Sequence, residues 1–309
     1  MLKYVLQRII YMIITLWVIV TATFFLMKLL PGNPFGDAQM KMSPENFAIL
    51  KAQYGLDKPE WQQYFIYMGN VLQGNFGVSY QFPGRSVVSV IQNNFKASLE
   101  LGLESLIFSI AIGLGLGAYA ALKHNKVGDY TAMFIAIVGI SIPSFVISPL
   151  LSLYIGVKLG WLPAGLWDGP LHRIMPAFAL ALGTIAILAR MMRASMLEVS
   201  SLDYIKTAKS KGLSSRAIVL RHMIRNAILP VVTILGPIAV NVITGTLVVE
   251  TVFAVPGLGS QFVTAITSND YTMITGLTIF YAAILVIVVF LTDIAYGLID
   301  PRIRLAGRR

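Results

Sequence analysis

Six stretches of this sequence run without a single charged side chain, and each is close to the length that a helix needs to cross a bilayer. The hydrocarbon core takes about 20 predominantly apolar helical residues. The runs are Ile9 to Met27, Ser105 to Leu122, Tyr130 to Val157, Ile174 to Ala189, Asn226 to Val249 and Tyr271 to Thr292. A chain built this way cannot bury all of its apolar surface against itself. The expected fold is therefore all-α and integral to the membrane, with six transmembrane helices. The fourth run is short, and Arg173 and Arg190 at its ends can snorkel to the two interfaces. Pro143, Pro149, Pro230 and Pro237 fall within the runs, where neighbouring helices can re-satisfy the freed carbonyls.

Composition agrees. Of 309 residues only 12% are charged, against roughly 25% in soluble domains, and the mean hydropathy is +0.74. The net charge of +10 is not read as a nucleic-acid surface, because the basic residues flank the apolar runs and no soluble domain carries them. There is no cysteine, and the three histidines, His124, His172 and His222, are far apart. The reading assigns neither a catalytic residue nor a metal site.

Lys3 and Arg8 precede the first run as in a signal peptide, but the run is too long for one. Leu30-Pro31-Gly32-Asn33-Pro34 is no cleavage site, so the first span is read as retained. With the N-terminus in the cytoplasm, sixteen of the 24 lysines and arginines fall on the inner side, as the positive-inside rule requires. Both termini are then cytoplasmic. Trp161 and Trp167 lie in an outer loop, where interfacial aromatics belong.

The chain divides into a tail and first span (1–30), an external helical subdomain (31–98), and a membrane domain (99–309) with a cytoplasmic loop at 190–230. Within the external segment, Ser43-Pro44-Glu45 reads as a helix start and Gln53-Tyr54-Gly55-Leu56 as its end. A second helix is expected from Glu60 to about Leu72.

The cytoplasmic loop is the informative segment. Ser201-Leu202-Asp203 offers an N-cap. Tyr204, Ile205, Ala208 and Leu213 make an apolar stripe at helical spacing, with Lys206, Lys209 and Lys211 facing elsewhere. Gly212 stands where a helix should stop. Ser214-Ser215 then caps a second helix, which carries Arg216, Arg221 and Arg225 and runs into the fifth span at Pro230. Physics leaves two readings even: an amphipathic helix lying on anionic lipid, or a docking helix that passes motion from a cytoplasmic partner to the spans.

The loop resembles the coupling motif of binding-protein-dependent ABC importer permeases, E-A-A-x3-G-x9-I-x-L-P. Lys206-Thr207-Ala208 stands in the E-A-A place, Gly212 is the glycine, and His222-Met223-Ile224-Arg225 occupies the I-x-L-P place. The fit is closer to the oligopeptide and dipeptide subfamily. Asp203-Tyr204-Ile205, Thr207-Ala208, Lys211-Gly212-Leu213, Leu220-Arg221-His222, Arg225-Asn226-Ala227 and Pro230 all match its version. The B-type subunit of that subfamily is resembled further at Leu30-Pro31-Gly32, Tyr54-Gly55-Leu56-Asp57-Lys58-Pro59, Gly74-Asn75-Phe76-Gly77-Val78-Ser79, Pro256-Gly257-Leu258-Gly259, Asp270-Tyr271 and Leu298-Ile299-Asp300-Pro301-Arg302. Asn75 and Ser86 depart from its usual aspartate and proline.

The resemblance implies a non-enzymatic permease subunit that forms half of a pathway for peptides. Its partners would be a second homologous permease, two cytoplasmic ATPases that bind ATP and magnesium, and an external substrate-binding protein. The chain has no G-x-x-x-x-G-K-[ST] with which to cradle ATP itself. Tyr204, Ile205, Ala208, Gly212 and Leu213 are expected to make the ATPase contact, with Arg221, His222, Arg225 and Asn226 bracing the helix pair against the fifth span. Candidates for the pathway or its gate are Asn241, Thr244, Thr246, Glu250, Pro256, Gly257, Gly259 and Asp293. Glu100 and Glu104 could meet a peptide amino group or a lysine of the outer loop. Gly113, Gly115 and Gly117 read as a close-packing face. Within the family the rival cargoes are dipeptides, nickel or other metal chelates, and haem. From another class, an ion-gradient-driven transporter is the alternative, although no internal repeat is evident.

Overall fold

The computed structural model describes residues 2–29, 45, 52, 55–82, 84–244 and 246–299, without the side chains of 2–4, 240, 241, 243, 244, 293 and 295–299. The described residues are helical apart from turns and one isolated bridge, Val78 to Ser86. They fall into two compact units, residues 1–97 with 256–309 and residues 98–255.

In the first unit α1 (Leu2–Leu29) packs on the last helix, and α2 (Glu60–Leu72) lies against α1. Thr21 and Tyr64 share a hydrogen bond of 2.8 Å, and Phe24 stacks on Tyr67. Helix α2 has the bounds expected from sequence. The proposed helix at 43–56 falls almost wholly outside the described residues. Asp270 is fully buried and organises the rest. It caps the last helix through the Met273 amide at 3.2 Å, and also accepts from the Ser79 hydroxyl and, at 3.4 Å, the Tyr80 amide. The 77–86 turn is thereby tied to the start of the last span.

The second unit holds most of α3 (Val87–Leu122), then α4 (Val127–Ser141), α5 (Ser144–Leu151), α6 (Pro170–Ser200), α7 (Asp203–Ser210), α8 (Ile224–Thr244) and α9 (Leu247–Val252). Helices α10 (Leu258–Thr267) and α11 (Tyr271–Ile299) belong to the first. Helix α3 has 36 residues, so it begins well before the run that marked the second span. Helix α6 has 31 residues and carries Arg190 and Arg193, which sequence placed in the loop. The helix does not stop at the charges because Met192, Met196 and Val199 continue its buried stripe.

Five helical segments are long and apolar enough to cross a membrane: 5–29, 87–122, 170–200, 215–239 and 271–292. The third expected span is not one straight helix. Helix α4 ends at Ser141, and α5, with the wider π-helical turn Ser152–Lys158 that follows it, sets off at 102° to it. The bend falls at Ile142-Pro143. Proline disfavours helical backbone in the residue before it, and Ile142 is extended at φ −96°, ψ 114°. Six crossings result when this bent pair is counted as one.

Glycine spacing sets how closely α3 approaches α6. A Cβ on Gly113 would meet the Leu188 Cβ at 2.8 Å, and one on Gly117 would meet the Met192 Cβ at 2.8 Å and the Ala189 carbonyl oxygen. Gly115 faces open space. The packing face is therefore Gly113 and Gly117, one helical turn apart, without the glycine between them.

Candidate functional site: the loop between α6 and α8

After α6 the chain makes a tight turn and forms α7, eight residues long. No side chain caps it. Leu202 occupies the N-cap position, while the expected cap, Ser201, donates its hydroxyl back to the Glu198 carbonyl at 2.7 Å. Asp203 in the first turn complements the helix dipole instead. The other end matches expectation. Gly212 has φ +75°, its amide donates to the Lys209 carbonyl at 3.0 Å, and the Leu213 amide donates to that of Ala208 at 3.3 Å. This pair of bonds is a Schellman turn, which needs a left-handed residue where Gly212 stands. Ser214 then accepts from the Ala217 amide at 3.3 Å. The chain continues through a π-helical turn, Ile218–Met223, directly into α8.

The apolar stripe of α7 faces inward. Ile205 and Ala208 are 1% and 5% exposed. They join Met192, Met196 and Val199 of α6, Ile218 and Met223 of the π turn, and Ala227 and Val231 of α8 in one core. Two residues expected to touch an ATPase are thus spent on seating the helix. Burying them removes apolar surface from water at about 25 cal/mol per Å². What α7 and its flanks present outward is Leu202, Tyr204 and Leu213, each about 40% exposed, with Lys206, Lys209, Lys211 and the open backbone at Gly212. Lys206 pairs with Asp203 at 2.8 Å. Of the expected brace, the Asn226 amide donates to the His222 carbonyl at 2.7 Å, a bond within one helical stretch. Arg221 and Arg225 are exposed, and among the described residues no acid pairs with them or with Arg216.

The pathway candidates are scattered. Asn241, Thr244 and Asp293 have side chains outside the described residues. Thr246 and Glu250 are fully buried, one turn apart, where α9 meets α5 and α6. The Thr246 hydroxyl has no hydrogen-bond partner among the described residues, and neither has that of Ser148 on α5, which sequence did not single out. Pro256 is exposed, Gly257 and Gly259 are buried, and Gly257 precedes α10 with ordinary extended backbone at φ −100°. Glu100 and Glu104 are not left open to solvent. Both pair with Arg173, at 3.1 and 2.9 Å, beneath the Trp167 ring. Glu104 and Arg173 line an open cleft of about 500 Å³ with Ile107, Phe108, Pro170 and Ile174.

Two family models match this chain and together take in nearly all of it. Residues 113–305 match the binding-protein-dependent transport system inner membrane component, and residues 1–101 match the N-terminal part of such membrane components. The chain belongs to this family of transport permeases. It is 44% identical over 308 residues to the dipeptide transport system permease protein DppB of Bacillus subtilis, covering 99% of each chain. It is 40% identical to the oligopeptide transport system permease protein OppB of Haemophilus influenzae, covering 98% of this chain and 100% of that one. In fold it is similar to an amino acid ABC transporter crystallised with histidines, at a TM-score of 0.51 and 18% identity, over 70% of this chain and 94% of the other. The protein is thus a multi-pass membrane permease of the ABC importer class and not an enzyme.

Proposed function

We propose that this permease carries peptides inward across the cytoplasmic membrane, and that α7 is the helix through which a separate ATPase drives it. Both termini and the α6–α8 loop lie in the cytoplasm in this reading, which the distribution of basic residues supports. A second permease completes the pathway, an external binding protein delivers the peptide, and two ATPases hold ATP and magnesium. The observation that carries this reading is the seating of α7. Its inner face is fused through Ile205 and Ala208 to a core shared by α6 and α8, while Tyr204, Leu213 and the basic side chains are left outward. A helix held in this way cannot slide independently of two membrane helices, so a push on its outer face displaces both. Apolar side chains ringed by cations suit a partner groove with an apolar floor and acidic rim.

Peptide is the cargo because relatives named for dipeptide and for oligopeptide transport align from end to end with this chain. Reconstitution of the complex in vesicles tests the whole reading. Uptake of a labelled peptide should require ATP and binding protein, and should not respond to a collapsed proton gradient. Uptake that follows the gradient without ATP would replace this reading with the ion-driven one. Within the complex, Tyr204→Ala and Leu213→Asp should weaken ATPase recovery in a mild-detergent pulldown.

A further inference from the structure

We propose that Asp129 is a positioning residue for energy coupling: with Arg193 it clamps the start of α4 to the part of α6 that leads into α7. The inference rests on the reading of α7 as the driven helix. Asp129 is 1% exposed. Its carboxylate accepts from the Arg193 Nε at 2.6 Å and Nη2 at 2.7 Å, a bidentate fork. The turn before α4 closes over the same carboxylate. Asn125, held at φ +58°, donates its amide at 3.1 Å, and His124 Nδ1 stands 3.5 Å away.

The rest of the α4–α6 contact has a different character. It includes Ala136, Ala186 and Ala189, with Met133 packed against them and Gly139 against the Leu182 carbonyl. Apolar side chains, most of them small, attract without direction and interlock little, so this surface resists a shift of one helix along the other less than the larger side chains that seat α7 do. The Asp129–Arg193 fork resists such a shift directly, because both bonds have a preferred length and angle and the carboxylate is held almost wholly inaccessible. Arg193 lies on the same unbroken helix as Met192 and Met196, which pack in the core that seats α7. Displacement of α7 therefore reaches α6 through packing, and reaches the bent third span through this one directional contact.

The test uses the assembled complex in vesicles, measuring peptide taken up per ATP hydrolysed alongside the melting temperature. Asp129→Asn keeps the shape but gives up the ionic fork, leaving Arg193, whose side chain is 27% exposed, able to reach water. The expected result is a fall in peptide per ATP of roughly threefold to thirtyfold, the span of a lost coupling contact, with ATPase activity retained. Arg193→Lys, which keeps charge but not the fork, should lie between. Unchanged peptide per ATP in both variants, even with lower melting temperature or yield, would make the pair merely structural and overturn the proposal. A wild-type complex with no ATP-driven uptake would instead remove the importer reading itself.

Discussion

Arg173 and Arg193 stand on one helix, about 30 Å apart along its axis at 1.5 Å per residue, and each takes carboxylates from an earlier helix. At the first, Glu100 and Glu104 share the guanidinium, and all three side chains are about a third exposed. At the second, a single aspartate with a side chain 2% exposed takes both bonds. In sequence Arg173 is a charge that ends an apolar run, while Arg193 falls in the loop that follows that run. What separates them is solvent. A half-wet pair is screened and can exchange one partner for water at little cost. A buried carboxylate that loses its cation has no such recourse.

Seven substitutions, taken in four comparisons, would break or sharpen that contrast. The largest effect is expected from Arg193→Met, which takes both bonds of the fork from Asp129 and sets an apolar side chain beside it. Thermal unfolding in detergent should register a loss of about 3–5 kcal/mol, with Asp129→Asn clearly milder because Arg193 can still reach solvent. Next, Gly117→Val forces a side chain onto the α6 backbone beside this pair. It should cost about 1–3 kcal/mol, whereas Gly115→Ala, facing open space, should be neutral or better in the same assay. Gly212→Val has room for its side chain but not for its φ. A penalty of about 1–2 kcal/mol is expected, and Gly212→Asn, which tolerates the left-handed conformation, should recover much of it. Equal loss in both would point to a clash and not to backbone strain. The smallest effect belongs to Glu100→Gln. A change of about 0.2–1 kcal/mol that shrinks further in high salt is expected, and a loss as large as that of Arg193→Met would erase the distinction between the two ends.

Sequence periodicity located the parts of the fold that depend on local chemistry. Apolar runs marked the spans, and Glu60 to Leu72 was bounded correctly. Gly212 marked a turn that only a left-handed residue can make. It was less informative where tertiary contact decides. Nothing local to residues 190–200 says that the helix continues, since its continuation depends on Met192 and Met196 finding Ile205 and Met223. The same holds for the stripe on α7. Its periodicity revealed that one face is apolar, but whether that face meets a partner or the chain's own core is settled by the packing of α8 against α6. Ala254 makes the point from the other side. It occupies the left-handed position that ends α9, with the Val255 amide bonded to the Glu250 carbonyl at 2.9 Å, and an alanine gives no sign of this. The bent third span was foreshadowed by Pro143, although a proline alone does not separate a kink from a 102° turn. Asp129 and Arg193 are 64 residues apart, and no spacing rule links them.

The length of α6 has a mechanical consequence. Its 31 residues make a rod of about 46 Å, half again the thickness of the hydrocarbon core it crosses. A rod that overhangs its bearing is a lever. A tilt of about 10° around its midpoint swings each tip through roughly 4 Å, close to the width of a side chain. One tip carries α7 and the other carries Arg173 beside its open cleft, and the glycines of α3 lie alongside as the fulcrum. Work done on one face of the membrane can then appear on the other in the time that a single rigid body takes to rock, without any helix having to melt or reform.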